Sequence, residues 1–213
     1  LIGENAEIPT RYWNGWIDDV RIYSSALAES QIQSLSAAGR IWHVNRATGS
    51  DAFSGRSREQ AVANIQTAIV LAQDGDKVLV WPGVYSESID FLGKAITVAS
   101  AADAAILESL GSAAAFHTGE GPSSLLRNMI IRNSMYAVRV SSNSRPTLKN
   151  LTIVDNQFGV QAFDSSAPTI VNCIFWNNPY GDLYGELITC QGQSSWLRDD
   201  LDPMPVAWWK FDE

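Results

Sequence analysis

Short alternations of apolar and polar residues recur three times between residues 126 and 180, with a step of 22 residues from position 128 to 150 to 172. Every copy carries an asparagine, two apolar residues that share one face of a predicted strand, a second Asn or Asp, and an aromatic residue. These positions are Asn128, Met129, Ile131, Asn133 and Tyr136, then Asn150, Leu151, Ile153, Asp155 and Phe158, then Asn172, Cys173, Phe175, Asn177 and Tyr180. A fixed step of this length predicts a solenoid, in which each coil buries its apolar face only by stacking on its neighbours.

Stacking the copies at the spacing of neighbouring strands, about 4.8 Å, predicts one dry interior column and one polar ladder at a turn. The column comprises Met129, Leu151 and Cys173, and the ladder comprises Asn133, Asp155 and Asn177. This arrangement is a parallel β-helix, so the predicted fold class is mainly β. About five coils at this spacing would form a short stack of roughly 25 Å.

The segment "IVNCIFWNN", residues 170–178, is the most characteristic part of the third copy. It resembles the right-handed parallel β-helix repeats of the pectin-lyase-like superfamily, especially the last coil of secreted bacterial members. The resemblance implies a right-handed coil. It implies no particular activity, because that superfamily includes lyases, hydrolases, tailspikes and inert surface proteins.

Residues 40–100 resemble the amino-terminal cap of many β-helix proteins. We expect a strand at 41–45 and an amphipathic helix at 60–72 with Ile65, Ile69 and Leu71 turned to the core. The helix would cover the first coil, whose apolar side chains and strand edges would otherwise be exposed. Further strands are predicted at 77–81, 96–98, 105–108, 113–117 and 187–190.

The two ends of the chain carry a different pattern. The segment "GWIDDVRIYSSALAESQIQSL" within residues 1–39 resembles the carboxyl-terminal strand and helix of a LamG-like (concanavalin A-like) jelly roll. Residues 205–213, "PVAWWKFDE", resemble the first strand of the same fold, which is an antiparallel neighbour of the last strand in that family. The resemblance implies a partial β-sandwich formed by the chain ends. The β-helix then occupies 40–190, and a linker occupies 191–204.

Neither end has enough strands to bury its own apolar face. The strands pair within one chain, or the last strand of one molecule adds to the first strands of the next, or the chain is a piece of a tandem array. The second arrangement is heterologous strand addition, which builds an open filament or surface layer. We therefore expect an extracellular structural module whose partners are copies of itself. The predicted assembly residues are Ile17, Val20, Ile22, Tyr23, Trp208, Trp209 and Phe211.

Charge and length limit the partners. The formal net charge of −8 and the pI near 4.7 disfavour a nucleic acid or an anionic membrane as partner. No apolar run approaches the roughly 20 residues of a transmembrane helix. The chain begins at Leu1 and shows no basic and apolar leader, so we interpret it as a processed or excised piece of a longer secreted protein.

A catalytic function is disfavoured. The superfamily resemblance implies lyases that use Ca²⁺ with an Arg or Lys base and hydrolases that use neighbouring Asp residues. The candidates in this chain are Asp155, Asp164, Arg132, Arg139 and Arg145, but no coil carries paired carboxylates. We predict that the chain is not an enzyme. The alternative function is a carbohydrate-binding or carbohydrate-cleaving domain of a cell-surface protein, with sugar rings stacking on Trp13, Trp16, Trp81, Trp176 or Trp196.

No cofactor is required by these motifs, although a structural Ca²⁺ is one interpretation of the chain ends. If the end strands pair, Asp19 and Asp212 approach each other and a cation would relieve their repulsion; otherwise both are solvated edge residues. A second acidic set, expected to serve turns and rims, is Asp74, Asp76, Glu87 and Asp90. The two cysteines permit one disulfide, Cys173–Cys190; the alternative for Cys173 is a small buried apolar residue.

Overall fold

The computed structural model describes Ala26, residues 39–185 and residues 188–191. The chain divides into two units, 1–36 and 37–213. The helix and the seventeen strands found within the described residues all belong to the second unit. They are β1 Ile41–Val44, α1 Ile65–Leu71, β2 Lys77–Val80, β3 Val84–Ser86, β4 Ile89–Asp90, β5 Thr97–Ser100, β6 Ala105–Glu108, β7 Ser112–Phe116, β8 Leu125–Arg127, β9 Met129–Arg132, β10 Tyr136–Val140, β11 Thr147–Lys149, β12 Thr152–Val154, β13 Phe158–Ala162, β14 Thr169–Val171, β15 Ile174–Trp176, β16 Leu183–Tyr184 and β17 Thr189–Gln191.

The strands form three parallel sheets that the chain visits in turn. The first sheet has the order β1-β2-β5-β8-β11-β14-β17, the second β3-β6-β9-β12-β15, and the third β4-β7-β10-β13-β16. Each strand therefore pairs with the equivalent strand one coil earlier and one coil later. The result is a mainly β parallel solenoid of about five turns, as the repeat predicts.

The core is the inside of this coil. The predicted interior column is confirmed, because Met129, Leu151 and Cys173 are all fully buried on successive coils. A second column stacks Ile153 on Phe175. Residues 22 positions apart in the sequence pair directly in adjacent strands. Equivalent apolar side chains are therefore stacked on one another in the core.

The earlier coils depart from this step. Lys77 pairs with Thr97, but Thr97 pairs with Leu125, so the coil between β5 and β8 is longer by several residues. Relative to the next coil, four extra residues lie in the turn from the first sheet to the second, and two lie in the turn from the third sheet to the first. There the buried carboxylate of Glu120 accepts hydrogen bonds from the amides of Gly93 and Thr118, both at 2.9 Å. Such bonds satisfy backbone donors that the longer turn removes from the sheet ladder.

The capping helix is shorter than predicted, and the prediction that Leu71 faces the core is wrong. The chain before Ile65 is extended because Val62 forms a parallel bridge with Val44. The buried face of α1 consists of Ile65, Ala68 and Ile69, whereas Leu71 is exposed. Positions 65, 68 and 69 lie on one side of the helix, and position 71 lies on another. The small Ala68 is therefore buried, whereas the larger Leu71 faces solvent.

The helix closes the first coil as expected. It packs against β1, β2 and β4. Beside it, the amide of Val62 donates to His43 O at 2.9 Å, and the amide of His43 donates to Gly55 O at 2.7 Å. The outer edge of β1 is thereby covered by the chain's own backbone, which protects it from pairing with another molecule. No helix in the described part of the chain is long and apolar enough to cross a lipid bilayer.

Candidate functional site

A ladder of aromatic rings runs along the outer face of the third sheet, beside the turn that leads into it. The rings of Tyr136 and Phe158 stack with centroids 5.1 Å apart and an interplanar angle of 18°. Those of Phe158 and Tyr180 lie 5.3 Å apart at 35°. Tyr136 and Phe158 are half-buried by their neighbours, but Tyr180 at the end of the row is 65% exposed. The repeat places these rings on successive coils, so their alignment follows from the sequence.

A second aromatic pair lies farther along the same face. The rings of Phe163 and Tyr184 have centroids 5.9 Å apart, and Tyr184 is 57% exposed. Arg139 connects the two rows, because its Cζ lies 5.0 Å from the ring centre of Tyr136 and 5.8 Å from that of Phe163. We call this surface the aromatic face. It consists of Tyr136, Arg139, Phe158, Phe163, Tyr180 and Tyr184.

The aromatic face combines two kinds of recognition. Exposed phenol rings offer apolar surface together with a hydroxyl that donates or accepts hydrogen bonds. The guanidinium of Arg139 adds several N–H donors in a fixed plane and is held in place by the rings beneath it. A ligand with apolar C–H faces and many hydroxyls matches this chemistry.

The turn between the second and third sheets carries the predicted polar ladder. Asn133, Asp155 and Asn177 all adopt left-handed backbone conformations, with φ of 53°, 55° and 53°. The amide nitrogen Nδ2 of Asn177 donates to Asp155 Oδ1 at 2.7 Å. Asn133 Nδ2 donates to Glu108 Oε1 at 3.2 Å. The left-handed region favours Asn and Asp over other residues that carry a side chain, which explains their recurrence at this step.

A second, buried ladder lies directly behind the first and was not predicted. It consists of Ser134, Asn156 and Asn178. Asn156 Oδ1 accepts the amide of Ser134 at 3.1 Å, and Asn178 Oδ1 accepts the amide of Asn156 at 3.1 Å. Asn156 Nδ2 also donates to the carbonyl oxygen of Ile131 at 3.0 Å. The signal was present in the sequence, because Asn156 and Asn178 repeat with the same step.

Residues of both ladders line a groove of about 400 Å³, which we call the ladder groove. Its lining residues are Ser109, Leu110, Asn133, Ser134, Met135, Asp155, Asn156, Gln157, Asn177 and Pro179. Leu110 and Met135 expose apolar side chains at its rim. The groove follows the solenoid across successive coils, next to the aromatic ladder.

The candidate catalytic residues do not meet at one place. Asp155 belongs to the turn between the second and third sheets, and Asp164 follows β13 in a left-handed turn toward the first sheet. On the outer face of the second sheet, Arg132 Nε donates to Glu108 Oε1 at 2.8 Å. Arg139 lies on the aromatic face. The remaining candidate, Arg145, donates its backbone amide to Glu120 O at 2.6 Å.

The acidic residues near the cap bind protein donors. Asp76 accepts hydrogen bonds from the indole Nε1 of Trp42 at 2.8 Å and from the amides of Arg40 and Gln73. Burial alone would raise the pKa of Asp76, but these hydrogen bonds outweigh it and lower the pKa. Asp74 Oδ1 accepts the amide of Ala95 at 2.9 Å. These contacts support the structural interpretation of both carboxylates.

The other two acidic candidates are also engaged. Glu87 accepts the first two amides of α1, those of Ile65 and Gln66, both at 2.9 Å. Asp90 Oδ2 lies 2.8 Å from His117 Nε2. Within residues 39–185 and 188–191, no group of three or more His, Cys, Asp and Glu side chains could hold a metal ion.

Several predicted site residues lie outside the described residues. These are the assembly residues Ile17, Val20, Ile22, Tyr23, Trp208, Trp209 and Phe211, the calcium candidates Asp19 and Asp212, and the tryptophans Trp13, Trp16 and Trp196. The main chain of Cys190 pairs with Ile170, but its side chain is also outside the described part, so the Cys173–Cys190 disulfide stays a prediction.

Comparison with known proteins supports the fold. A family model described as "Right handed beta helix region" matches residues 98–195. The coil is therefore right-handed, as the resemblance implied. This match does not extend to the chain ends, where the LamG-like resemblance stays a prediction. No curated protein matches the sequence significantly.

Among solved structures, the chain resembles a GH136 lacto-N-biosidase from Eubacterium ramulus, with a TM-score of 0.53 and 14% sequence identity. The alignment covers 69% of this chain and 35% of the other, so this chain spans about a third of that protein. At this identity the likeness concerns the fold alone.

Proposed function

With the right-handed parallel β-solenoid as scaffold, we propose that this chain is a non-catalytic, carbohydrate-binding module of an extracellular protein. The binding surface is the aromatic face. The observation that carries this proposal is that the exposed phenol rings of Tyr180 and Tyr184 end two rows of stacked rings on one sheet face. The Arg139 guanidinium lies over one half-buried ring of each row, Tyr136 and Phe163. The enzymatic neighbour is a carbohydrate-active protein by its name, and it is distant in sequence.

The exposed rings at the last described coil supply the contact area. Within the aromatic ladder, each ring face is largely covered by the next ring, because the centroids lie about one strand spacing apart. Tyr180 and Tyr184, the most exposed rings, therefore offer the accessible surface for the apolar face of a sugar. Arg139 is positioned to donate to sugar hydroxyls from between the two rows.

Binding is favoured over cleavage because the candidate catalytic side chains are dispersed. Asp155 is part of the turn ladder, Arg132 is paired with Glu108 on the second sheet, and Arg139 lies on the third. Glycoside hydrolysis needs two carboxyl groups on either side of one glycosidic bond. We therefore propose that the chain holds a glycan without cleaving it.

The test is a binding measurement with the double variant Tyr180→Ala and Tyr184→Ala. Wild-type chain is titrated by calorimetry with a panel of acidic and neutral polysaccharides, and the tightest ligand is used for the variant. Each lost ring contact is worth about 0.5–1.5 kcal/mol, so the double variant is expected to bind at least about fivefold more weakly. Each ring also packs on one neighbour, Phe158 or Phe163, so the thermal midpoint should fall by a few degrees, and the titration is run well below it.

The matched control is Phe53→Ala, which removes an aromatic side chain that is 38% exposed in the turn of residues 51–53, away from the aromatic face. The control should bind like wild type. A wild-type chain that binds none of the panel, or a double variant that binds as tightly as wild type, would refute the proposal.

A second candidate function, compatible with the first, is self-assembly through the chain ends. It is favoured by the complementary LamG-like strand motifs at residues 16–23 and 205–213. By this proposal, Trp208, Trp209 and Phe211 dock beside Ile17, Val20, Ile22 and Tyr23 of the next copy, and Ca²⁺ bridges Asp19 and Asp212. Sedimentation velocity tests it: deletion of 205–213 should convert assemblies to monomers. Wild-type chain that is monomeric at high concentration, with and without Ca²⁺, would remove it.

A further inference from the structure

We infer that the ladder groove and the aromatic face form one elongated site, that its glycan lies parallel to the solenoid axis, and that this glycan is neutral. The inference rests on the proposed function and specifies its ligand. Continuity comes from the chain itself. The groove residues Met135, Gln157 and Pro179 each directly precede a ring of the aromatic ladder.

The direction of the ligand follows from the repeat. The groove takes one set of residues from each of four successive coils, beginning at Ser109 and ending at Pro179. Neighbouring coils are about 4.8 Å apart, so equivalent groups recur at that interval along the axis. An extended sugar chain advances by a similar length with each pyranose unit. A glycan lying along the axis therefore meets the same donors and acceptors at each successive sugar.

The polar lining is suited to hydroxyl groups. Asn133, Gln157 and Asn177 are exposed at the groove, and each amide side chain offers both donors and acceptors. Asp155 uses Oδ1 to accept from Asn177, which leaves Oδ2 as a second acceptor for a sugar hydroxyl. The exposed Leu110 adds an apolar contact for the C–H groups of the ring.

The charge of the lining selects against acidic sugars. Asp155 is the only charged residue among those that line the ladder groove, and no Lys, Arg or His is among them. A uronic acid placed beside Asp155 would meet a like charge on a chain whose formal net charge is already −8. Arg139 lies three residues farther along β10 than Tyr136, on the side away from the groove. Arg139 is therefore not among the residues that line the groove.

The first experiment is a length and charge series with the intact chain. Neutral oligosaccharides of one to eight units and matched oligouronides are titrated by calorimetry. We expect affinity for the neutral series to rise up to about four units, one for each coil of the groove, and then to level off. Oligouronides should bind at least tenfold more weakly. Equal affinity for one and four units, or tighter binding of uronides, would overturn the inference and leave the proposed function standing.

The second experiment uses Asn133→Gly, Asp155→Gly and Asn177→Gly. Glycine adopts positive φ freely, so each change removes a groove side chain without straining the turn. Each variant should bind the neutral tetramer two- to tenfold more weakly, as expected for one lost hydrogen bond. Asp155→Gly should also reduce the discrimination against uronides.

The matched control is Asn143→Gly, an exposed residue with φ of 60° in the turn that leads from the third sheet to the first. It should bind like wild type. If all three groove variants also bind like wild type while Tyr180→Ala with Tyr184→Ala loses affinity, the groove is not part of the site. If wild-type chain binds no glycan, this inference and the proposed function both fail.

Discussion

At the scale of single residues, backbone conformation decides which side chains the turns accept. Asn128, Asn150 and Asn172 connect the first sheet to the second, and all three have positive φ. Their side chains form a ladder, with Asn150 Nδ2 donating to Asn128 Oδ1 at 3.0 Å and Asn172 Nδ2 donating to Asn150 Oδ1 at 2.8 Å. One residue type thus supplies both the tight turn and the bond between coils.

Gly159 shows how closely the coils approach. A β-carbon at this position would lie 2.2 Å from the carbonyl oxygen of Asp182 on the next coil. The equivalent residue one coil earlier is Ala137, which is buried without difficulty. The backbone near Gly159 is held in place, because its amide donates to Gly181 O at 2.9 Å.

We expect Gly159→Ala to lower the free energy of unfolding by about 3 kcal/mol or more, because the clash is with backbone that must shift. Denaturation with urea, followed by circular dichroism, measures the change. The control is Ala137→Gly, which creates no clash and should cost about 1 kcal/mol. Equal stability of Gly159→Ala and wild type would show that the coils are farther apart at this point.

The sequence predicted part of this residue-level detail. The interior column and the outer ladder were found because Met129, Leu151 and Asn133 recur with their equivalents at one step. The inner ladder of Asn156 and Asn178 repeats in the same way, so the sequence carries its signal as well. The burial of Glu120 had no such signal, because its coil is the one that departs from the step.

At the scale of elements, α1 is a short helix held at both ends by side chains from the first coil. Glu87 accepts its first two amides, and Lys94 Nζ donates to the carbonyls of Ile69, Val70 and Ala72 at 2.7–2.8 Å. A helix of this length is unstable by itself in water. These bonds and the buried apolar face therefore decide its position.

Replacing Lys94 tests this attachment. Lys94→Met keeps the length of the side chain and removes its bonds to three carbonyls, so stability should fall by about 1–2 kcal/mol. Amide hydrogen exchange should accelerate in α1 more than in β12. Lys149→Met, on the exposed outer face of the first sheet, is the matched control and should leave both quantities unchanged. Unaltered exchange in α1 for Lys94→Met would contradict the role assigned to this lysine.

The direction in which pH changes the stability of the cap follows from the pKa of Glu87. Burial raises the pKa of Glu87, and the hydrogen bonds from Gln66 and Ile65 offset this only in part. The folded chain therefore holds this proton to a higher pH than the unfolded chain, so the stability contributed by Glu87 is largest in acid. It is lost as pH rises above the ordinary value near 4.5.

We expect the difference in unfolding free energy between wild type and Glu87→Gln to shrink as pH rises from 4 to 7.

Asp76 provides the opposite case, because its pKa is lowered and its contribution to stability is lost as pH falls below 3.8. The difference between wild type and Asp76→Asn should therefore shrink toward acid pH. Urea titrations at several pH values measure both, and the same slope for the two variants would refute this explanation.

Element boundaries were predictable where apolar alternation was clear. The strand predicted at 105–108 has the bounds of β6. The strand predicted at 113–117 is displaced by one residue from β7, which spans Ser112–Phe116. The helix start was misplaced because polar and small residues from 60 to 64 are compatible with a helix. Only the pairing of Val62 with Val44, a contact across the fold, keeps them extended.

At the scale of the molecule, the solenoid presents equivalent surface residues at a regular interval along its axis. The five coils predicted from the 22-residue step are present, and they align the aromatic ladder and the ladder groove side by side. The sequence showed the aromatic repeat but not Arg139 between the rows, because Phe163 and Tyr184 do not share its step. Pairing of the chain ends stays a prediction, because their residues lie outside the described part.

The most direct test of carbohydrate binding by this surface is a crystal structure of the chain with a bound neutral tetrasaccharide. We predict continuous ligand density parallel to the solenoid axis, touching Tyr180 and reaching hydrogen-bond distance of Asp155 and Gln157. Density on the outer face of the first or second sheet, or an empty aromatic face at saturating ligand, would contradict it.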